Sequence, residues 1–220
     1  MSSSSFIDVH CGMTEDQRRY APATARNREP ILAVLQCHLP SQALVLEIAS
    51  RTGEHATYFA QSFGPGLVFQ PTDPDPAART SVDAWTAALG LTNVRPAFEL
   101  DVTSEAWPVT AADAVLAINM VHISPWAATE GLVRGAARIL PAGGLLYIYG
   151  RYRFGGRHTA PSNEAFDADL RSRNPEWGVR DVEAVAELAR VNGFCKPISE
   201  QMPANNLSLV FRRLPYEGTF

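Results

Sequence analysis

The segment from Val45 to His55 constrains the fold more than any other part of the chain. A short apolar run rich in branched residues reaches Glu47, passes through a tight turn, and opens into a helical pattern. A buried strand that leads directly into a helix is the repeating unit of a parallel sheet, because parallel neighbours need a crossover between them. In doubly wound α/β domains this strand-to-helix corner is where nucleotide-like ligands bind.

The same alternation continues along the chain. Helices are predicted at 53–63, 75–89, 125–140, 162–173 and 179–192, and strands at 43–49, 67–70, 94–100, 112–118, 145–149, 195–202 and 207–213. This order predicts a Rossmann-like α/β fold with a seven-stranded, mostly parallel sheet, an antiparallel terminal strand and helices on both faces. We expect a flexible N-terminus (1–18), one domain (19–215) that starts with an N-terminal lid or helix (19–40), and a C-terminal tail (216–220).

Composition narrows the class of protein. The chain is 46% hydrophobic and 19% charged, which excludes a disordered chain, and its net charge of −4 disfavours a nucleic-acid partner. No apolar run approaches the roughly 20 residues that a membrane-spanning helix needs. Three scattered cysteines, with no N-terminal signal pattern, predict a cytoplasmic protein. The five histidines are also scattered, so no metal site is expected. Composition leaves the oligomeric state open.

The spacing of the turn after Glu47 resembles motif I of the S-adenosylmethionine (SAM) methyltransferases. In that motif an acidic residue precedes a turn with three glycines, whereas here only Gly53 remains, and Ala49 and Arg51 take the other two places. Glycine permits a positive φ and a close approach of the backbone to a ligand. An arginine at this point either strains the turn or points outward. Three outcomes stay open: Arg51 blocks the pocket, swings into solvent, or serves a carboxylate or phosphate of a different ligand.

Several separate motifs resemble one family more closely. They are Tyr20–Leu32, Gln70–Asp73, Asn119–Trp126, Ser162–Arg171, Asn174–Asp181 and Met202–Leu207. Together they resemble the DUF938 family, whose animal members are called methyltransferase-like protein 26, from about residue 19 to residue 213. The resemblance implies a class I SAM methyltransferase fold, with S-adenosyl-L-methionine as cofactor and S-adenosylhomocysteine (SAH) as product. It does not imply a particular substrate.

This resemblance suggests which residues hold the cofactor. An acid at the end of the first strand would face the methionine amino group, backbone amides of the turn would face polar atoms of the cofactor, and Arg26 would pair with the methionine carboxylate. Asp73 ends the second strand and would bind the ribose hydroxyls, although it could instead cap the next helix. Asp101 would receive the adenine amino group, with capping as its alternative. The predicted cofactor residues are Tyr20, Arg26, Asn27, Glu47, Ala49, Ser50, Gly53, Asp73, Asp101, Val102 and Asn119.

Asn119 and His122 follow the fourth predicted strand, where chemistry takes place in doubly wound sheets. Asn119 would hold the substrate nitrogen that accepts the methyl group. His122 would remove a proton from the acceptor at neutral pH, although a histidine that simply bonds to a backbone carbonyl fits the pattern as well. The predicted substrate-binding residues are Arg151, Arg153, Asn163, Phe166 and Asn205. The arginines among them suggest an anionic group on the substrate.

These observations favour a SAM-dependent methyltransferase that acts on a nitrogen or oxygen atom of a small molecule. The substitutions Ala49 and Arg51 motivate an alternative, a methyltransferase-fold protein that has lost methyl transfer and serves as a binding module or a repurposed enzyme. An NAD(P)-dependent oxidoreductase is a third hypothesis. The chain lacks the Gly-x-Gly-x-x-Gly turn that lets backbone approach a pyrophosphate, which disfavours this third class.

Overall fold

Residues 16–215 are described by a computed structural model in which helices and strands alternate. The helices are α1 (Pro22–His38), α2 (Glu54–Phe63), α3 (Pro76–Ala88), α4 (Trp126–Ile139), α5 (Pro161–Arg173) and α6 (Val182–Val191). The strands are β1 (Ala43–Ile48), β2 (Leu67–Pro71), β3 (Ala114–Ile118), β4 (Leu145–Gly150), β5 (Tyr152–Phe154), β6 (Arg157–His158), β7 (Arg180–Asp181), β8 (Ile198–Met202) and β9 (Asn206–Arg212). The tail predicted at 216–220 and most of the predicted flexible N-terminus lie outside the described residues.

The main sheet has six strands in the order β2-β1-β3-β4-β9-β8. Strands β2, β1, β3 and β4 pair in parallel, and β9 pairs antiparallel with both β4 and β8. The α/β class, the parallel sheet and the antiparallel end agree with the sequence-based prediction. A second, small sheet (β6-β5-β7) follows β4 and was not predicted.

The predicted count of seven strands needs correction at residues 94–100. This segment runs beside β2 but makes only two isolated bridges, Phe69 with Val94 and Thr72 with Phe98. Pro71 in β2 lacks the N–H group that would continue the hydrogen-bond ladder, and the Ala97 amide donates to Asp83 Oδ1 at 2.9 Å instead of to β2. The pairing also shifts by one residue between the two bridges. The chain therefore occupies the edge position without forming a regular strand.

Side chains alternate between the two faces of the sheet, and both faces are covered. From β1, Leu46 and Ile48 enter the core that α4 and α6 complete, whereas Val45 enters the core that α1 and α2 complete. A strand buried on both faces must be almost continuously apolar, which explains the sequence of β1. Among residues 16–215 no helix is both long and apolar enough to cross a membrane.

Strand β1 is the point where the order of the strands reverses. The chain passes from β1 to β2 on one side and returns to β3 on the other. Loops that leave β1 and β3 therefore diverge at the carboxyl edge of the sheet, and the crevice between them is the expected ligand site in such folds.

Candidate active site

A cavity of about 390 Å³ lies at this crevice. Its volume falls in the range of small-molecule binding sites, roughly 300–1,000 Å³. Apolar side chains form most of its wall. It is lined by Ile48, Ala49, Arg51, Asp73, Pro74, Leu100, Asp101, Val102, Thr103, Ile118, Met120, Ile123, Ser124, Pro125 and Ala128.

The turn after β1 keeps a backbone shape that glycine would normally provide. Ala49 and Arg51 have φ angles of 54° and 53°, in the left-handed region, and Gly53 has a φ of 85° where α2 begins. A Cβ atom on Gly53 would lie 2.7 Å from the Cα atom of Val82, so a side chain has no room there. The two replaced glycines are therefore tolerated with strain, and the third position requires glycine.

Arg51 is exposed and lies between two cavities. It lines the 390 Å³ cavity and also a second cavity of about 520 Å³ formed with Arg18, Arg19, Tyr20, Thr52 and Ala78. No carboxylate of residues 16–215 lies within ion-pair distance of its guanidinium group. Of the three outcomes considered for Arg51, complete blockage does not occur, because the first cavity remains open beside it.

Asp73 is 1% exposed and its carboxylate is fixed by backbone. Its two oxygens accept hydrogen bonds from the Arg51 and Asp75 amides, each at 2.9 Å. The capping alternative belongs to its neighbour: Asp75 is the N-cap of α3 and accepts a bond from the Ala77 amide at 2.9 Å. Asp73 lines the cavity, and one lone pair of each carboxylate oxygen can still accept a hydrogen bond from a ligand hydroxyl.

Asp101 and Val102 form the far wall of the cavity. Asp101 Oδ1 accepts bonds from the amide and hydroxyl of Thr103, both at 2.8 Å, so this acid shapes its own turn. Val102 is buried and contributes an apolar surface. No helix begins at Asp101, so it does not act as the helix cap given as its alternative, and its carboxylate instead bonds within a turn of the cavity wall.

Glu47 lies on the opposite face of β1 from Ile48 and does not line the cavity. It is 2% exposed and its Oε2 atom has no hydrogen-bond partner. Burial raises the pKa of Glu47 to about 7, and the negative charge of Asp73 adds to this effect. Ser50 is also buried, and its Oγ atom donates to the Glu47 carbonyl at 3.4 Å and accepts from the Thr72 amide at 3.2 Å.

The segment before α1 is tied to α2 and α3. The Arg19 amide donates to Ser81 Oγ at 2.8 Å, and the Ala21 amide donates to Glu54 Oε2 at 2.6 Å. Tyr20 stands against Trp85 with ring centroids 5.0 Å apart and faces the second cavity. This part of the predicted lid is therefore anchored beside the site.

Arg26 and Asn27 differ in environment. Arg26 is exposed, and it has no ion pair with any carboxylate in the described part of the chain. Asn27 is buried, and its Oδ1 atom lies 2.8 Å from His55 Nε2. Neither side chain lines the 390 Å³ cavity. Their roles toward a cofactor stay predictions.

Asn119 and His122 lie in the loop between β3 and α4. Asn119 has a φ of 59°, and its amide donates to the Tyr149 carbonyl at 2.9 Å. His122 is 3% exposed, and its Nδ1 atom has no partner and faces Gly150, where a Cβ atom would lie 2.8 Å away. Burial lowers the pKa of His122 to about 3, and the charges of Arg151 and Arg180 act in the same direction. Its imidazole is neutral at physiological pH and is a weak base.

Helix α5 brings most of the predicted substrate residues together. The Phe166 ring lies 5.3 Å from the His122 ring and 4.4 Å from the Arg151 guanidinium carbon. Asn163 is fully buried and donates to the Asn205 carbonyl at 3.0 Å, while its own Oδ1 atom has no partner. We call Arg151, Phe166, His122, Asn163 and Asn205 the α5 cluster.

Arg153 does not belong to this cluster. Its Nη2 atom lies 2.7 Å from Asp181 Oδ2, and both side chains are about three-quarters buried. The pair links β5 to β7, so the charge of Arg153 is already neutralised by Asp181. Arg151 has no carboxylate partner among residues 16–215 and donates instead to the Ser162 carbonyl at 3.0 Å.

Two features of the site were not predicted from the sequence. The first is the apolar wall after β3, formed by Met120, Ile123 and Pro125, which belongs to the Asn119–Trp126 motif but received no role. The second is Arg180, whose side chain bonds to carbonyls of the same loop. Within the described residues no group of three or more His, Cys, Asp or Glu side chains is arranged to hold a metal ion.

Solved structures with the same fold are methyltransferases. An O-methyltransferase family protein from Burkholderia thailandensis has a TM-score of 0.75 and 20% identity over 89% of this chain and 58% of that chain. Human N-acetylserotonin methyltransferase in complex with SAM has a TM-score of 0.71 and 14% identity over 87% of this chain and 53% of that chain. The chain thus spans little more than half the length of these two proteins.

A third structure is of similar size to this chain. It is a putative sarcosine dimethylglycine methyltransferase from Galdieria sulphuraria, with a TM-score of 0.67 and 13% identity, and 90% of this chain covers 92% of that one. At these identities the likeness establishes a class I SAM methyltransferase fold. A sequence-family profile described as "Protein of unknown function (DUF938)" matches residues 18–213, almost the whole chain. The protein therefore belongs to the DUF938 family.

Proposed function

We propose that this protein is a SAM-dependent methyltransferase that transfers a methyl group to a nitrogen or oxygen atom of a small molecule and releases SAH. The observation that carries the proposal is the 390 Å³ cavity at the switch point of the sheet, with the buried carboxylate of Asp73 in its wall. The methyltransferase fold of the neighbouring structures supports it.

The residues present fit such a cofactor. The apolar wall formed by Leu100, Val102 and Ile123 suits an adenine ring, and Asp73 can accept hydrogen bonds from ribose hydroxyls. Glu47 does not line the cavity, so we propose that its buried, unpartnered Oε2 atom reaches the ammonium group of the cofactor through a bridging water. It is close enough to Asp73 for their charges to interact. A bound ammonium group favours the ionised form of the Glu47 carboxyl group, because a nearby positive charge lowers the pKa of an acid.

When bound, SAM supplies an electrophilic methyl group. The protein then has to align the acceptor atom and exclude water, since an in-line displacement depends mainly on geometry. We assign Asn119, which directly follows β3, the role of holding the atom that accepts the methyl group. We assign His122 a hydrogen-bonding role in the same task, because its neutral imidazole is a weak base.

For the acceptor we propose a small molecule with an anionic group. Arg151 carries this part of the argument, since it is the arginine of the α5 cluster and no carboxylate of the described residues neutralises it. Phe166, stacked beneath the guanidinium group, offers an apolar surface next to that charge. We expect no nucleic-acid or membrane partner and a cytoplasmic location.

A second candidate is a methyltransferase-fold protein without methyl transfer. The exposed guanidinium group of Arg51 at the cavity wall favours it, because a cation there disfavours the sulfonium group of SAM. The two candidates differ in one observable: turnover of an acceptor in the presence of SAM. SAM binding without turnover of any acceptor class, including anionic ones, would favour the second candidate.

The first test is calorimetric titration of the protein with SAM and with SAH. We expect micromolar binding of both ligands, and a loss of at least tenfold in affinity for Asp73→Asn, because the neutral amide is a weaker acceptor for two hydroxyls. Asp75→Asn is the matched control, since asparagine also caps helices and Asp75 does not line the cavity. Absence of binding by the unmodified protein, or equal affinities for Asp73→Asn and the control, would refute the proposed cofactor site.

A further inference from the structure

The loop between β3 and α4 is held in place by a distant segment. Met120, Ile123, Ser124 and Pro125 from this loop form one wall of the cavity. Arg180 donates from Nε to the Val121 carbonyl at 3.0 Å and from Nη2 to the Ser124 carbonyl at 2.6 Å. The wall of the proposed cofactor site thus depends on a side chain more than fifty residues away in sequence.

A backbone contact supports the same arrangement. The Gly178 amide donates to the carbonyl of His122 at 3.0 Å. Together with the two bonds from Arg180, three carbonyls of the loop are bound by the segment that leads into β7. Arg180 is half-buried over the Trp126 ring, with its guanidinium carbon 5.9 Å from the ring centroid. Bonds from a charged donor to carbonyls are among the stronger hydrogen bonds in proteins.

The segment is in turn fixed to α5. Asp167 is 6% exposed, and its Oδ1 atom accepts a hydrogen bond from the Val179 amide at 2.7 Å. Gly178 has a φ of 153°, and a Cβ atom there would lie 2.7 Å from the same Oδ1 atom. Asp167 directly follows Phe166 of the α5 cluster. A continuous path of contacts therefore leads from the acceptor side to the cofactor cavity.

We propose that Arg180 is a positioning residue that couples α5 to the cofactor site by holding the loop 120–125. An acceptor seated against Phe166 would stabilise α5 and, through Asp167 and Arg180, the wall against which the cofactor packs. Coupling of this kind is reciprocal, so bound cofactor also favours acceptor binding. This inference rests on the proposed function for its account of the two ligands, but not for the role of Arg180 in ordering the loop.

The test uses Arg180→Lys in the full chain. Lysine keeps the charge, but its single ammonium group cannot reproduce the fork that reaches two carbonyls. Arg173→Lys is the matched control, since Arg173 lies on α5, is exposed and pairs only with Asp169. Two readouts are compared: hydrogen exchange of the loop amides without any ligand, and the dissociation constants of SAH and SAM by calorimetry.

For Arg180→Lys we expect at least tenfold faster exchange within residues 121–126, unchanged exchange in β1 and β4, and at least tenfold weaker SAH binding. The control should change neither readout by more than twofold. Faster exchange throughout β1 and β4 would mean that Arg180 stabilises the whole protein, which overturns the positioning role. Faster loop exchange with unchanged SAH and SAM affinity would overturn the coupling. If the unmodified protein binds neither ligand, the proposed function fails, and the exchange comparison alone still decides the role of Arg180.

Discussion

Replacing Arg51 by glycine separates two consequences of an arginine at this turn. The first is backbone strain, because Arg51 has a φ of 53°. The second is charge, because its guanidinium group lies at the cavity wall without a carboxylate partner in the described part of the chain. Arg51→Gly removes both, Arg51→Gln removes only the charge, and Ala49→Gly relieves similar strain at φ 54° without a change of charge.

The effect on stability follows from the backbone angle. A left-handed conformation costs an L-residue roughly 1–2 kcal/mol, and glycine avoids this cost. Glycine also gives the unfolded chain more freedom, which offsets about 0.4–1 kcal/mol of the gain. Arg51→Gly should therefore raise the free energy of unfolding by about 0.5–1 kcal/mol, or the Tm by roughly 1–4 °C for a chain of this size.

The effect on binding follows from the charge of the ligand. SAM and SAH share the adenosine, amino and carboxylate groups, and only SAM has a positive sulfonium centre. For a separation of about 8 Å and an effective dielectric constant of about 40–80, the guanidinium group disfavours the sulfonium by roughly 0.5–1 kcal/mol. Arg51→Gly should therefore improve the affinity for SAM relative to SAH by about two- to fivefold.

The assay is urea denaturation and calorimetric titration of the unmodified protein and of the three variants, Arg51→Gly, Arg51→Gln and Ala49→Gly. Arg51→Gln should change the ratio of SAM to SAH affinity as Arg51→Gly does, without the gain in the free energy of unfolding. Ala49→Gly should raise the free energy of unfolding and leave the affinity ratio unchanged. The strain argument would be refuted if Arg51→Gly lowered the free energy of unfolding. The charge argument would be refuted if the affinity ratio stayed the same in both Arg51 variants.

Three further predictions concern buried residues of the site. Burial raises the pKa of Glu47 to about 7, and a ligand ammonium needs the ionised carboxylate. Between pH 6 and pH 7 the ligand amine stays mostly charged, so SAM binding should be about fivefold weaker at pH 6 than at pH 7 and nearly independent of pH over this range in Glu47→Gln. Titrations that show equal pH dependence in both proteins would contradict this. The His122 imidazole stays neutral above its lowered pKa, so we expect it to help align the acceptor by hydrogen bonding. His122→Asn should then lower kcat and leave the dissociation constant of SAM unchanged. An inflection of kcat near pH 6.5 that is lost in this variant would instead make His122 a general base. Gly53→Ala should lower the free energy of unfolding by about 1–3 kcal/mol in urea denaturation, because the new Cβ atom would clash with Val82 and alanine is strained at this positive φ. A change below about 0.5 kcal/mol would show that the turn relaxes to accept the side chain.

The sequence predicted the sheet where its pattern is local. Strand β1 and helix α2 follow from an apolar run, a turn and a helical period within a few consecutive residues. The segment 94–100 was predicted as a strand for the same reason. Its ladder is broken because Pro71 of β2 has no N–H group to donate and because the pairing shifts by one residue between the bridges at Val94 and Phe98. Neither cause can be read from the segment 94–100 alone.

The residues of the candidate site divide in the same way: those marked by a local sequence pattern were predicted, and those that depend on a contact with a distant segment were not. Asp73 and Asp101 were predicted at one place because the carboxyl ends of parallel strands meet at one edge, and both line the cavity. The bonds from Arg180 to Val121 and Ser124 had no sequence signal, since a contact between an arginine and a backbone carbonyl leaves no mark on the residue that supplies the carbonyl. For Arg51 the sequence left two options open, a strained turn or a side chain that points outward, and the structure combines a left-handed φ with an exposed side chain.

Non-glycine residues with positive φ are concentrated around this site. Three of them, Ala49, Arg51 and Asn119, follow β1 and β3. Strained angles persist only where surrounding contacts determine them, and here the Arg51 amide donates to Asp73 while the Asn119 amide donates to Tyr149. Those contacts keep the turn in the shape that glycines would give it, so the loss of two glycines does not close the cavity. What distinguishes this turn from a glycine-rich one is then the charge of Arg51 rather than its backbone. The ratio of SAM to SAH affinity reports that charge directly, whereas turnover of an acceptor separates an active methyltransferase from a repurposed fold.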